Sequence, residues 1–408
     1  MRTSVFLAII VLVPLRVGAQ SLSNILVMDE NLSSIMGAED LSSIHEILFR
    51  YEQAHLPEQF SNEDDRGSRA LGMLYRMGKS ILFENIQEGL LILTQHEVFG
   101  HGARLREFGY QDARYQFHLV PPYGTGGGFT AWGSSPSFSN DQWTSIHIAG
   151  VESEAILADE LRMRALERGS INYREAQLYF LEKLSLPYYA HITTSEDLTS
   201  HNANDIASYI NQVQSRNSQV TLSRIKSNSL LNLIDPFTLG WLYFYGYRYL
   251  RNAQEETPIP MFKVGRWKYL PGFRFTLTPF GYEYCLETLL TDSGRVAEIT
   301  TSMGSADNGT SVSIGLKTRN IWTLGPVVLD GKILLWHQPL LGLIDQGYSL
   351  INSPASWSVG GLMTIGASVK ISTGSALTID AGYKSMGFAE GEILNSGPIF
   401  RAGIILGE

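Results

Sequence analysis

From Trp357 to Ser372 the chain alternates without a break. Trp357, Val359, Gly361, Met363, Ile365, Ala367, Val369 and Ile371 fall on one side. Ser358, Gly360, Leu362, Thr364, Gly366, Ser368, Lys370 and Ser372 fall on the other. Only extended backbone separates two such sets, because strand side chains point to opposite faces in turn. The run also exceeds the ~5–6 residues of an ordinary strand. Shorter alternations occupy 273–278, 280–287 and 377–384, and about eight such segments follow Pro258. One face is apolar with aromatics; the other is Gly, Ser, Thr and charge. A transmembrane β-barrel needs that pattern, and so does a soluble antiparallel sheet with one wet face. Strand length favours the barrel. The final residue, Glu408, replaces the aromatic common at the end of bacterial outer-membrane barrels and weighs against it.

Before Pro258 the period is helical. Residues 81–108, 141–168 and 173–184 lack Pro and carry apolar side chains at three- and four-residue spacing, with Gly109 and Gly169 placed as stops. Between the first two lies PPYGTGGGFTAWGSSPSFSN, too rich in Gly, Pro and Ser for a helix and expected to form a loop or an irregular edge strand. Asp235-Pro236 reads as an N-cap followed by Pro at the first helical position. The aromatics after it suit either a membrane-surface helix or a core helix. The expected fold class is α+β, with a mainly helical domain over 20–257 and an antiparallel all-β region, a candidate outer-membrane β-barrel, over 258–408.

Arg2, the apolar run 5–13 and Val17-Gly18-Ala19 have the layout of a secretory signal peptide over 1–19, with the mature chain starting near Gln20. Cys285 is the single cysteine, so no intramolecular disulfide can form. An exported chain without disulfides points to a bacterial cell envelope, here the outer membrane. The net charge of −9 and the absence of a basic patch argue against nucleic-acid binding.

The chemistry gathers at TQHEVFGHGAR, residues 94–104. The zinc-protease helix motif H-E-x-x-H sets its histidines at i and i+4, about 40° apart around the axis. Here His96 and His101 stand at i and i+5, about 140° apart on a regular α-helix. Both can reach one ion only if the helix absorbs the added residue, as a π-bulge does. Gly100 lies inside that turn and makes a distortion cheap.

A second constellation follows at Gly150-Val151-Glu152-Ser153-Glu154-Ala155-Ile156. Glu154 sits among Val151, Ala155, Ala158 and Leu161, where a carboxylate needs a partner or a metal. His96, His101 and Glu154 make a three-ligand zinc set with one open position, which is catalytic geometry. Glu152 is the rival third ligand, about 160° away on an ideal helix.

HEVFGH resembles the HEXXGH motif of the dipeptidyl peptidase III family, and the gap to Glu154 is similar. Gly150 and Glu154-Ala155-Ile156 resemble the glutamate helix of thermolysin-type gluzincins. The likeness covers about seventy residues, and the EECRAE motif of dipeptidyl peptidase III is absent. It implies a zincin-like domain with His96, His101 and Glu154 binding Zn2+, Glu97 as general base and Asp159 as a carboxylate supporting a ligand histidine. The expected activity is that of an exported zinc metallopeptidase acting on peptide or protein substrates. The alternative is a non-enzymatic barrel with a helical plug or scaffold. His118, His147, His191, His201, Tyr188 and Tyr189 are further candidates for the site. Arg104 is expected to form a salt bridge.

Overall fold

The computed structural model describes residues 24–55, 66–133, 138–200, 204–307, 309–343, 356–372 and 374–407. The proposed signal peptide and His201 lie outside them.

The chain opens with strand β1 (Asn24–Met28) and helix α1 (Ser34–His55). A nearly continuous helical run follows: α2 (Arg66–Lys79), a π-helical segment Ser80–Glu84, α3 (Asn85–Thr94), a second π segment Gln95–His101, and α4 (Gly102–Glu107). The Gly- and Pro-rich stretch carries a small hairpin, β2 (Arg114–Phe117) and β3 (Gly128–Ala131). Helix α5 (Asn140–Arg168) begins in a capping box, Ser139 with Gln142, and ends at Gly169, whose left-handed φ of 76° suits glycine. After β4 (Ser170–Asn172) come α6 (Tyr173–Ile192), α7 (Asp205–Val213), α8 (Leu222–Ser229), α9 (Leu231–Ile234) and α10 (Pro236–Trp241). Asp235 caps α10 with Pro236 in its first turn, as its sequence implies. A third π segment, Leu242–Arg251, completes the helical part.

The rest is antiparallel: β5 (Glu256–Pro258), β6 (Phe262–Val264), β7 (Trp267–Thr278), β8 (Gly281–Asp292), β9 (Arg295–Ala306), β10 (Gly309–Leu324), β11 (Val327–Pro339), β12 (Trp357–Ser372), β13 (Ser375–Lys384) and β14 (Gly397–Leu406). Ten strands form one sheet in the order β1-β14-β13-β12-β11-β10-β9-β8-β7-β6. The fold is therefore α+β. The N-terminal strand belongs to this sheet, paired with β14 from Asn24↔Leu406 to Met28↔Ala402.

The register sorts the side chains by face. One row crosses the sheet as Ile299↔Leu316↔Ile333↔Met363↔Tyr383, and all five are exposed. One residue along runs the opposite-face row Glu298↔Lys317↔Lys332↔Thr364. That polar face packs against α5. Arg162 of α5 pairs with Glu287 and, at 2.9 Å, with Glu298. Asp159 pairs with Lys317 at 2.8 Å, and Glu160 with Arg319. A cavity of about 480 Å³ remains between α1, α5 and this face, lined by groups such as Glu39, Asp330 and Asp380. The arrangement is inverted relative to a water-soluble sheet: charge lies inside and apolar side chains lie outside. Near β7 and β8 the outer face is covered, with Phe275, Leu277 and Tyr282 packed on Ile206, Tyr209 and Ile225 of α7 and α8. Among the described residues no helix is long and apolar enough to cross a membrane.

Candidate metal centre

The second π segment is the irregularity that five-residue spacing demands. Its ring closes with Gly102 N–H donating to the Glu97 carbonyl, an i to i−5 bond. Widening a helical turn leaves carbonyls in need of partners, and side chains supply them. Ser153 Oγ donates to the Gln95 carbonyl (2.8 Å), Ser34 Oγ to that of Phe99 (2.6 Å) and Arg106 Nη2 to that of Val98 (2.7 Å). Gly100 lies inside this π segment, and its missing side chain has a second use. A Cβ there would lie 2.7 Å from both the Ala149 carbonyl oxygen and Ser153 Oγ, so glycine is required for close packing against α5. Gly150 is the counterpart on α5, where a Cβ would meet His96 Nε2 at 2.2 Å.

The wide turn brings the two buried imidazoles together, with His96 Nε2 3.2 Å from His101 Nε2. The third group facing them is Asp205, the first residue of α7. Its Oδ2 lies 3.3 Å from His96 Nε2 and 3.2 Å from His101 Nε2. His96, His101 and Asp205 are the group able to hold a metal among the described residues. A tetrahedral ion with bonds of ~2.0–2.1 Å has ligand atoms about 3.3–3.4 Å apart, so the three atoms fit one face of a zinc tetrahedron.

The far side of each ring supports the same reading. His101 Nδ1 lies 2.7 Å from the Ile146 carbonyl, which can only accept, so Nδ1 carries the proton and Nε2 a lone pair. His96 Nδ1 lies 3.0 Å from Glu154 Oε1, while Ser185 Oγ donates to the other oxygen of Glu154. Two lone pairs and a carboxylate oxygen aimed at one point repel unless a cation lies between them. In the metal-free chain a proton takes that place. Burial pulls His96 down, but Glu154, Tyr189 and Asp205 offset it and hold the imidazole well above its ordinary range. Burial likewise lowers His101, and Asp205 outweighs it in the raising direction. Asp205 is pushed up by burial but held below the usual carboxylate range by the two histidines.

Glu154 therefore reaches the centre through His96 Nδ1 instead of joining the three converging atoms. Glu152 points elsewhere, paired with Arg104 at 2.8 Å and accepting from Gly391 N–H at 2.7 Å. This is the salt bridge expected of Arg104. Asp159 is not brought to the histidines either: it pairs with Arg162 at 2.6 Å and with Lys317 on the sheet side of α5. Glu97 is buried beside the motif, and Thr130 Oγ1 of β3 donates to its Oε2 at 2.6 Å. The Gly- and Pro-rich stretch thus supplies an edge strand next to the site.

Tyr189 stacks on His96 with ring centroids 5.4 Å apart. His96 pulls its phenol down, but burial and the carboxylates of Asp205, Glu154 and Glu97 push it up to about 12, so it stays a neutral donor. His147 stacks on Trp143, and burial lowers it to about 4. His118 and Tyr188 are exposed, and His191 bonds the Pro187 carbonyl of its own helix. Glu182, which carries no sequence signal, is buried with neither oxygen hydrogen-bonded; burial and the charge of Glu154 hold its carboxyl well above the ordinary range.

No family model, curated protein or solved structure matches this chain.

Proposed function

We propose that this chain is an exported zinc-dependent metallopeptidase anchored by its β-sheet in a bacterial outer membrane. The observation that carries the reading is the triangle of His96 Nε2, His101 Nε2 and Asp205 Oδ2, with edges of 3.2–3.3 Å and a proton-bearing or carboxylate-bound nitrogen behind each ring. These three groups would hold Zn2+, and Glu154 would fix the tautomer and angle of His96, as outer carboxylates do for metal-bound histidines. Bound zinc lowers the pKa of its water to ~7 and polarises a carbonyl.

Glu97 supplies the base. Thr130 occupies one of its oxygens, which leaves the other free to accept a proton from water and return it to the leaving amine. Tyr189, neutral and stacked on His96, would be the donor to an oxyanion. The similarity of HEVFGH to the zinc motif of dipeptidyl peptidase III supports the same assignment of His96, Glu97 and His101. Membrane anchoring is supported by the outward apolar rows of β9 to β14, a liability in water and a fit to lipid.

The non-enzymatic reading has its own support in α5, whose ion pairs to the sheet interior are those of a plug. Zinc content and turnover separate the two. The purified protein should contain one zinc, lost in His96→Ala, while Glu97→Gln should keep zinc and lose peptide hydrolysis. A metal-free wild-type protein, or full zinc in His96→Ala, refutes the assignment.

A further inference from the structure

We propose that the outer wall formed by α2, the π segment Ser80–Glu84 and the π segment Leu242–Arg251 lies in bilayer hydrocarbon, completing around the helical side the lipid-facing surface that the sheet presents. The inference rests on the membrane reading of the sheet and is independent of the peptidase reading.

Helix α2 and the segment Ser80–Glu84 are amphipathic in the wrong sense for water. Their buried face is charged: Arg76 donates to the Leu250 carbonyl at 2.9 Å, Lys79 donates to Tyr173 Oη at 3.1 Å, and Tyr173 donates to Glu84 at 2.5 Å, while residues 242–251 bury Phe244, Tyr245 and Tyr249. The wall exposes apolar side chains, with Leu74, Met77, Ile81, Phe83 and Leu242 all more than two-fifths exposed. The sheet shows the same inversion. Burying paired charge while presenting Leu and Phe outward suits hydrocarbon surroundings.

The dimensions agree between two unrelated kinds of element. On the helical run, exposed apolar residues extend from Leu71 to Leu90, about 28 Å at 1.5 Å per residue. On β12 they extend from Val359 to Ile371, about 40 Å of strand, or about 28 Å across a bilayer at the ~45° tilt of membrane strands. Both lengths match a hydrocarbon core of ~30 Å.

Contacts run in a circuit. From β14 the path passes to β1 by pairing and to α1 through Ser43, which donates to the Ile25 carbonyl at 2.7 Å. It continues through the Glu52–Lys79 ion pair to α2 and through Arg76 to residues 242–251. It returns by α10 and α9 to β7, where Asn232 and Phe275 exchange two hydrogen bonds of 2.7 and 3.1 Å. Lipid would cover this perimeter except where α7 and α8 overlie the outer face of β7 and β8. Tyr243 and Tyr247 carry Arg248 and Arg251 over their rings at 5.9 and 5.4 Å, the pairing of an interfacial anchor.

The native Cys285 is buried, so introduced cysteines can be labelled selectively. Leu74→Cys, Phe83→Cys and Leu242→Cys, with Ile365→Cys on the sheet and exposed Ser195→Cys as the aqueous reference, would carry a bimane label in the full chain. The labelled proteins would be reconstituted in phosphatidylethanolamine–phosphatidylglycerol vesicles. Mid-chain doxyl lipids should quench the labels at 74, 83, 242 and 365 several-fold more than at 195, and aqueous iodide should do the reverse. Labels at 74, 83 and 242 that follow position 195 while 365 follows lipid would overturn the helical wall and leave the sheet reading standing. If 365 also follows 195, both fail. Protection from iodide without doxyl quenching would mean that protein, not lipid, covers the helices, and refutes the proposal.

Discussion

Replacing Asp205 with Asn tests the metal centre at its least anticipated member. Asp205 Oδ2 occupies one corner of the donor triangle, 3.2 and 3.3 Å from the two Nε2 atoms. On the proposed zinc assignment, the amide keeps the shape but removes a coordinating anion and one of the charges that would offset a divalent ion. Glu154 lies behind His96, so Glu154→Gln removes an orienting contact and no coordination bond. Loss of such an outer contact costs ~10–100-fold in metal affinity, which is about 1.4–2.7 kcal/mol at 1.36 kcal/mol per tenfold. Asp205→Asn should exceed that range, and Glu154→Gln should fall within it. Folding is not the confounder, because Asn204, not Asp205, caps α7. The assay is zinc competition against a chromogenic chelator at fixed pH, with circular dichroism to confirm the fold. A larger loss in Glu154→Gln than in Asp205→Asn would make Glu154 the ligand. A loss below tenfold in Asp205→Asn would remove Asp205 from the coordination set.

Gly150→Ala would place a methyl 2.2 Å from His96 Nε2, so zinc affinity should fall with an overpacking cost of ~1–3 kcal/mol; unchanged zinc binding would show that His96 does not lie against α5. Metal-free His96 and His101 hold protons above their ordinary range, so zinc binding should release protons and tighten as pH rises through neutrality. A pH-independent affinity, measured by the same competition, would contradict that. Ile365→Arg on the outer face should impair outer-membrane assembly far more than Thr364→Arg on the inner face, because a lipid-facing charge at the midplane costs ~2–4 kcal/mol. Equal yields in membrane fractions would mean that lipid does not contact β12.

The sequence was most legible where one periodicity ruled. Sixteen alternating residues gave β12 its full extent, and two helical stripes gave α5 and α6, because each pattern is local. The π turn was legible too, since the imidazoles of His96 and His101 cannot meet otherwise. Asp205 was not, for it arrives from another helix and only tertiary packing selects it. Glu154 was singled out correctly as a carboxylate needing a partner, but the partner is His96 Nδ1 and Ser185. Asp159 shows the converse, a carboxylate that the resemblance implied would support a ligand histidine and whose partners came from strand β10 and its own helix. Strand β1 is five residues long and finds its neighbour at the opposite end of the chain, which no local signal reports.

The extra residue in HEVFGH has a consequence for how this motif can change by insertion or deletion. Removing Gly100 would yield a four-residue spacing and let a plain α-helix align the two imidazoles. Because the π turn already absorbs the added residue, the same deletion would leave the helix beyond it close to its present phase. Arg104 would keep Glu152 and Glu107 as partners, and Leu105 its place in the core. The histidine spacing can therefore change by one residue without unseating α4.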